Sequence, residues 1–130
     1  FEGKIATSNM LKGKQTEPDY IGVPSVVFTI PELARVGMME EEARETGDVE
    51  VSFTDTSGWF SQKRLGETHA GAKIISNSEG KILGAHMFGP DYAELINIFS
   101  LAIKLGLTVD QIKTMPAAYP TGASDIGSML

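Results

Sequence analysis

The hydrophobic pattern changes period several times along the chain, and each period predicts a different element. "SVVFTI" (25–30) is a continuous apolar, β-branched run closed by Pro31, which predicts a short buried strand. "VEVSFTD" (49–55) alternates apolar and polar residues with period two, the signature of a half-buried strand. "AGAKIIS", "NSEG" and "KILGAHMFG" (70–89) read as strand, turn and strand, a hairpin. Gly84 inside its second strand predicts a bulge or a close backbone approach.

Between these lie helical periods. "PDYAELINIFSLAIKLG" (90–106) places Tyr92, Leu95, Ile96, Phe99, Ala102 and Ile103 on one face. Asp91 and Glu94 have capping-box spacing at its start, and Gly106 stops it. Ile98, Leu101 and Leu105 fall off the main stripe, so this helix is apolar on more than one side, and a partner surface is one reading of that excess. Thr108 and Gln111 repeat the capping-box spacing ahead of a short helix over 109–115 that Pro116 ends. "MMEEEARETG" (38–47) is a short helix with its acidic residues in the first turns and Gly47 as its stop. Residues 56–67, which hold Trp59, read as a loop with at most a turn of helix, and 122–130 as a last turn or two. The opening "FEGKIATSNMLKG" reads as the end of a helix, followed by a linker bounded by Pro18, Gly22 and Pro24. Strand–helix alternation is not regular, so the predicted class is α+β, with a mostly antiparallel sheet and helices on one face.

Composition narrows the function. A chain of 130 residues with 42% hydrophobic and 22% charged residues is one globular domain. Its net charge of −6 argues against a general nucleic-acid or anionic-membrane binder, which needs a basic face. No apolar run approaches the roughly 20 residues of a membrane span. With no cysteine, disulfide and thiolate chemistry are excluded within these residues.

Candidate chemistry is sparse. No Gly-x-Gly-x-x-Gly follows a strand, so nucleotide binding by this segment alone is unsupported. His86 reads as a structural strand histidine, His69 as a surface residue, and neither has metal-ligand spacing. The Glu40–Glu42 run reads as a solvated helix face. What remains is "PAAYPTGASDI" (116–126). Tyr119 can donate a hydrogen bond at neutral pH but is a poor base. Ser124 has no histidine near it in sequence to activate it. Asp125 can equally cap the terminal helix.

Two segments, "VPSVVFTIPELARVGMMEEEAR" and "KIISNSEGKILGAHMFGPDYAELINIFSLAIKLGLTVDQI", together resemble the C-terminal dimerisation domain of the pyridine nucleotide-disulfide oxidoreductases, the family of glutathione reductase, dihydrolipoamide dehydrogenase and mercuric reductase. The resemblance runs over roughly residues 20–130, in order. It implies a cytoplasmic, homodimeric flavoenzyme with FAD and NAD(P)H bound by other domains, none by this segment, and a redox cysteine pair lying upstream. It also implies that residues 1–16 are the remnant of the last helix of an FAD domain plus linker, and that 17–130 form the dimerisation domain. Residues 91–105 and the C-terminal segment would lie at or near the subunit contact. The Ala118–Tyr119 backbone would lie near the partner's FAD.

The same comparison exposes a departure. Where the disulfide reductases carry His-Pro-Thr followed by an orienting glutamate, this chain has Tyr119-Pro120-Thr121, and Ser124 stands at the glutamate position with Asp125 beside it. Both members of the acid–base dyad have changed, so the histidine mechanism is absent. Mercuric reductases and soluble transhydrogenases resemble this pattern in having tyrosine at the histidine position. The resemblance leaves two alternatives: a transhydrogenase-like flavoprotein without the cysteine pair, and a free-standing interaction domain with no redox role.

Overall fold

A computed structural model describes all residues 1–130. Five strands form a single sheet in the order β1-β2-β5-β4-β3, every neighbouring pair antiparallel. They are β1 (Ser25–Val27), β2 (Leu33–Gly37), β3 (Val49–Asp55), β4 (Gly71–Asn77) and β5 (Ile82–Phe88). The helices are α1 (Glu2–Lys12), α2 (Glu40–Thr46), α3 (Phe60–Lys63), α4 (Tyr92–Leu105), α5 (Val109–Lys113) and α6 (Gly122–Met129). The predicted class is the observed one. The short α2 alone crosses the opposite face of the sheet, where Glu40 bonds Lys73.

The core lies between the sheet and α4. Alternation along the strands sends Ala34, Val36, Ala72, Ile74, Ala85 and Met87 to this side, and all are buried. They meet Tyr92, Leu95, Ile96, Phe99 and Ala102, the predicted stripe of α4, in one cluster. Ile103, the sixth residue of that stripe, is half-buried at its edge. The cluster mixes small side chains, Ala34, Ala72 and Ala85, with the large ring of Phe99. Ile126 and Met129 of α6 close the far end of this core, and the Ser52 hydroxyl donates to the Met129 carbonyl at 3.2 Å.

Three expectations are corrected. The 25–30 run is neither six residues long nor buried: β1 covers three residues at the sheet edge, and Phe28 and Ile30 leave the ladder, 81% and 100% exposed. Its apolar character reflects a surface feature of the chain, which local composition cannot separate from a core strand. β2 is an additional strand whose pattern, with Ala34 and Val36 inward and Leu33 and Arg35 outward, spans only five residues and gives a weak periodic signal. The Asp91–Glu94 capping box does not form. Asp91 adopts a left-handed conformation (φ 62°) and caps nothing with its side chain. Glu32, from the loop before β2, accepts from the Ala93 N–H at 2.8 Å instead. A first-turn donor is satisfied by a residue 61 positions away, which no local spacing can signal.

Other expectations hold. The Thr108–Gln111 capping box forms in both directions. Gly106 ends α4 in the left-handed region. Gly84 shows both predicted features: the register shifts beside its partner Ile75, and a Cβ at Gly84 would sit 2.2 Å from the Met38 carbonyl oxygen. α3 is a single turn. α1 buries no residue; Tyr20 donates to Glu2 at 2.7 Å, and Asn9 accepts from the N–H groups of Gln15 and Thr16.

Candidate functional site

Ala118 and Tyr119 belong to the loop between α5 and α6, and Ser124 to the first turn of α6. The loop is positioned at its end by α6, whose Ile126 and Met129 are buried. Gly122, the first residue of α6, lies so close to α4 that a Cβ there would be 3.0 Å from Leu95 Cδ1. Two hydroxyl–carbonyl bonds shape the turn: Thr121 Oγ1 donates to the Ala118 carbonyl and Ser124 Oγ to the Thr121 carbonyl, each at 2.6 Å. Asp125 does not cap this helix. Its N-cap is Thr121, and Asp125 stands in the first turn, where the helix dipole favours a carboxylate.

The Tyr119 side chain projects from this turn, 85% exposed, and its hydroxyl makes no hydrogen bond within the chain. Tyr119 and Ser124 line a common hollow of about 120 Å3 with Thr121, Phe60, Ser61 and Arg64. By pattern alone, 56–67 is a loop with at most a turn of helix and shows no functional signal. The tertiary structure brings α3 against the Tyr119 turn, with Arg64 3.6 Å from Asp91 at the start of α4. Ser61 Oγ in this wall and the neighbouring Gln62 Oε1 are buried without a hydrogen-bond partner.

Behind α3 is a buried polar junction. Thr56 Oγ1 and the Tyr92 hydroxyl are 2.6 Å apart, and Gln62 Nε2 donates to the same hydroxyl at 3.4 Å. Burial pushes the Tyr92 phenol above its ordinary pKa, and the Asp125 carboxylate adds to the rise against the opposing bonds from Thr56 and Gln62. Tyr92 therefore stays a neutral phenol and ties α3 to α4.

This arrangement limits the chemistry. Ser124 gives its proton to a backbone carbonyl and faces no base, so it is not an activated nucleophile. Neither histidine lines the hollow. His86 lies on the far face of the sheet, its Nε2 2.9 Å from the Met38 carbonyl, and His69 is exposed with Nδ1 2.8 Å from Thr68 Oγ1. An acid–base imidazole is absent here. What the turn offers is a phenolic donor and the N–H groups of Ala118 and Tyr119, since the Ala118 carbonyl is already occupied by Thr121.

Comparison with known proteins decides the family. The profile described as "Pyridine nucleotide-disulphide oxidoreductase, dimerisation domain" matches residues 23–130. The chain belongs to that family. It is 42% identical over 131 residues to a 19.7 kDa protein of a mercuric resistance operon in Staphylococcus aureus, covering 99% of this chain and 73% of that one. It is 37% identical over 123 residues to dihydrolipoyl dehydrogenase of Bacillus subtilis, covering 93% of this chain and 26% of the enzyme. It is 35% identical over 128 residues to mercuric reductase of Lysinibacillus sphaericus, covering 97% of this chain and 23% of the enzyme. Among solved structures, the HOCl-induced flavoprotein disulfide reductase of Escherichia coli superposes with a TM-score of 0.84 at 27% identity, covering 97% of this chain and 30% of that one. The chain thus spans about a quarter of the length of the enzymes it matches. No helix is long and apolar enough to cross a membrane.

Proposed function

We propose that this domain pairs the subunits of an FAD- and NAD(P)H-dependent oxidoreductase and presents the Tyr119 turn to the partner subunit's flavin. The observation that carries the reading is the Tyr119 phenol, held out on a braced turn with no partner in its own chain. Such a group fits the edge of a flavin or its substrate as a hydrogen-bond donor, and the free N–H groups of Ala118 and Tyr119 fit a carbonyl or a ring nitrogen. FAD supplies the redox chemistry when bound. The residues of this chain orient and donate. Without histidine and glutamate at 119 and 124, they do not shuttle a proton as an imidazole dyad does.

The pairing surface in this reading is the outer ridge of α4. Leu101 and Leu105 are 57% and 63% exposed, while the inner stripe is buried. Residues 1–16 act as the last helix of a flavin domain with its linker, which accounts for an α1 that buries nothing. The cytoplasmic location rests on the resemblance to the reductases.

The test is sedimentation velocity at micromolar concentration. The chain should sediment as a dimer and Leu101→Glu as a monomer, because burying an unpaired carboxylate is costly. A dimer unaffected by Leu101→Glu removes α4 from the interface. In the flavoenzyme, Tyr119→Phe should lower turnover and leave the dimer intact. Equal turnover across pH 6 to 9 reduces Tyr119 to packing. The 130-residue chain alone should oxidise no pyridine nucleotide.

The S. aureus relative favours a second reading, because this domain makes up 73% of it. In that reading the fold serves as an interaction module apart from any flavin. Pull-down of a flavoprotein by the wild-type chain but not by Leu101→Glu favours the first reading, and a chain that self-pairs yet captures no flavoprotein favours the module.

A further inference from the structure

The side of the sheet turned away from α4 carries a row of basic side chains that the core does not need. Arg35 pairs in register with His86, and His86 with Lys73, so the three side chains rise from neighbouring strands β2, β5 and β4. At strand spacing, Arg35 and Lys73 are about 10 Å apart. The chain as a whole is acidic, at −6, which makes a basic row on one face a local feature.

The hollow along the row holds three cations, Arg35, Arg44 and Lys73, against two carboxylates, Glu40 and Glu41. Lys73 and Arg44 share one carboxylate, that of Glu40, each at 2.9 Å. Those two bonds hold Glu40 below the usual carboxylate range, the Lys73 bond contributing most. Although Glu41 lines the same hollow, Arg35 makes no ion pair. Its recorded contact is the Met39 sulfur at 3.4 Å, a weak acceptor, so most of its five N–H donors point to solvent. A guanidinium fork of this kind suits a bidentate oxyanion.

Beside the cations lies an apolar floor. A hollow of about 640 Å3 runs between the row and α2, and a second of about 450 Å3 continues past it over β3. Leu33, Lys73 and His86 line both, so the two form one trough. The second hollow is walled by Phe53 and Phe88, and the Phe53 ring lies over Gly71, where a side chain would touch it at 3.5 Å. His86 donates Nε2–H to the Met38 carbonyl and forms the fixed partition between the charged and aromatic parts. Asp55, at the rim of the aromatic part, is engaged by the Ser57 N–H and hydroxyl.

We propose that this trough is a binding site for a small amphipathic anion: an oxyanion head taken by Arg35 and Lys73, on a flat apolar body that stacks against Phe53 and Phe88. Charge complementarity fixes the head, and the aromatic floor selects the body. The site lies across the sheet from α4 and does not depend on the Tyr119 turn.

Phenyl phosphate is the probe, titrated into the 15N-labelled chain and followed by two-dimensional NMR at low salt. Saturable shifts confined to β2, β4, β5 and Phe53 are expected, with inorganic phosphate and phenol each binding more weakly. Arg35→Gln, at an exposed position, should keep the folded spectrum and weaken binding about tenfold. Phe53→Ser should weaken phenyl phosphate but leave inorganic phosphate unchanged. Lys81→Gln, a distant lysine paired with Glu79, should change nothing. Shifts mapping elsewhere, or equal affinity in Arg35→Gln, overturn the site. Equal affinity for inorganic and phenyl phosphate overturns the amphipathic class. Should Lys73→Gln unfold the chain through loss of its Glu40 contact, Arg35→Gln and Phe53→Ser still decide the question.

Discussion

The two faces of the sheet are built from the same strands and the same alternation, yet they are opposites. Toward α4, Ala34, Val36, Ala72, Ile74, Ala85 and Met87 are sealed against Phe99 and Ile96. On the other side Ile75 is buried, but Leu33, Arg35, Lys73, His86 and Phe88 are exposed or half-buried and mix charge with aromatic surface. A period of two guarantees that the faces differ, but not what the second is for. The first face carries stability. The second retains features that stability alone does not require, and such features are where function is to be sought.

The contrast breaks most sharply at the centre of the inner face. Phe99→Ala should destabilise by about 3–5 kcal/mol, read as a lower denaturation midpoint at unchanged slope. A loss under about 1 kcal/mol would mean that the inner face is not the core. Gly84→Ala comes next. Its Cβ would collide with a backbone carbonyl, which moves less readily than a side chain, and a cost of at least about 1–3 kcal/mol is expected in the same measurement.

Tyr92→Phe removes the hydroxyl that Thr56 and Gln62 share and should cost about 1–3 kcal/mol. The raised pKa gives this variant a pH signature. An unfolded tyrosine ionises near its ordinary value of about 10, while the buried one resists. The stabilisation is complete below that pH and lost as pH rises through the folded pKa. Wild type should therefore lose more stability than Tyr92→Phe above about pH 10, and parallel profiles would place Tyr92 in contact with solvent. Last and smallest, Arg35→Gln on the outer face should change stability by less than about 0.5 kcal/mol while still weakening phenyl phosphate. A large loss of stability there would return the outer face to a structural role.

Much of this was legible from residues alone. The hairpin over 70–89, the stripe of α4, the Thr108–Gln111 box and the close approach at Gly84 are local patterns with local causes. The substitution of Tyr119 and Ser124 for an acid–base dyad remains a proposal, which the Tyr119→Phe experiment tests. The unread parts each depended on a distant partner. Glu32 caps α4 from another loop, and Phe28 and Ile30 are surface residues only because β1 is an edge. Ser61 and Arg64 reach the Tyr119 hollow because α3 folds back onto α6, and no spacing in 56–67 announces it.

By itself the sequence determined the class, the periodicities and the acidic balance, since these follow from residue type and short-range spacing. Only the tertiary structure decided which apolar runs are interior, which carboxylate caps α4, and that Arg35, His86 and Lys73 stand in one row. The physical reason is the same in each case: antiparallel pairing places residues dozens of positions apart within one strand spacing, and that register is a property of the whole sheet.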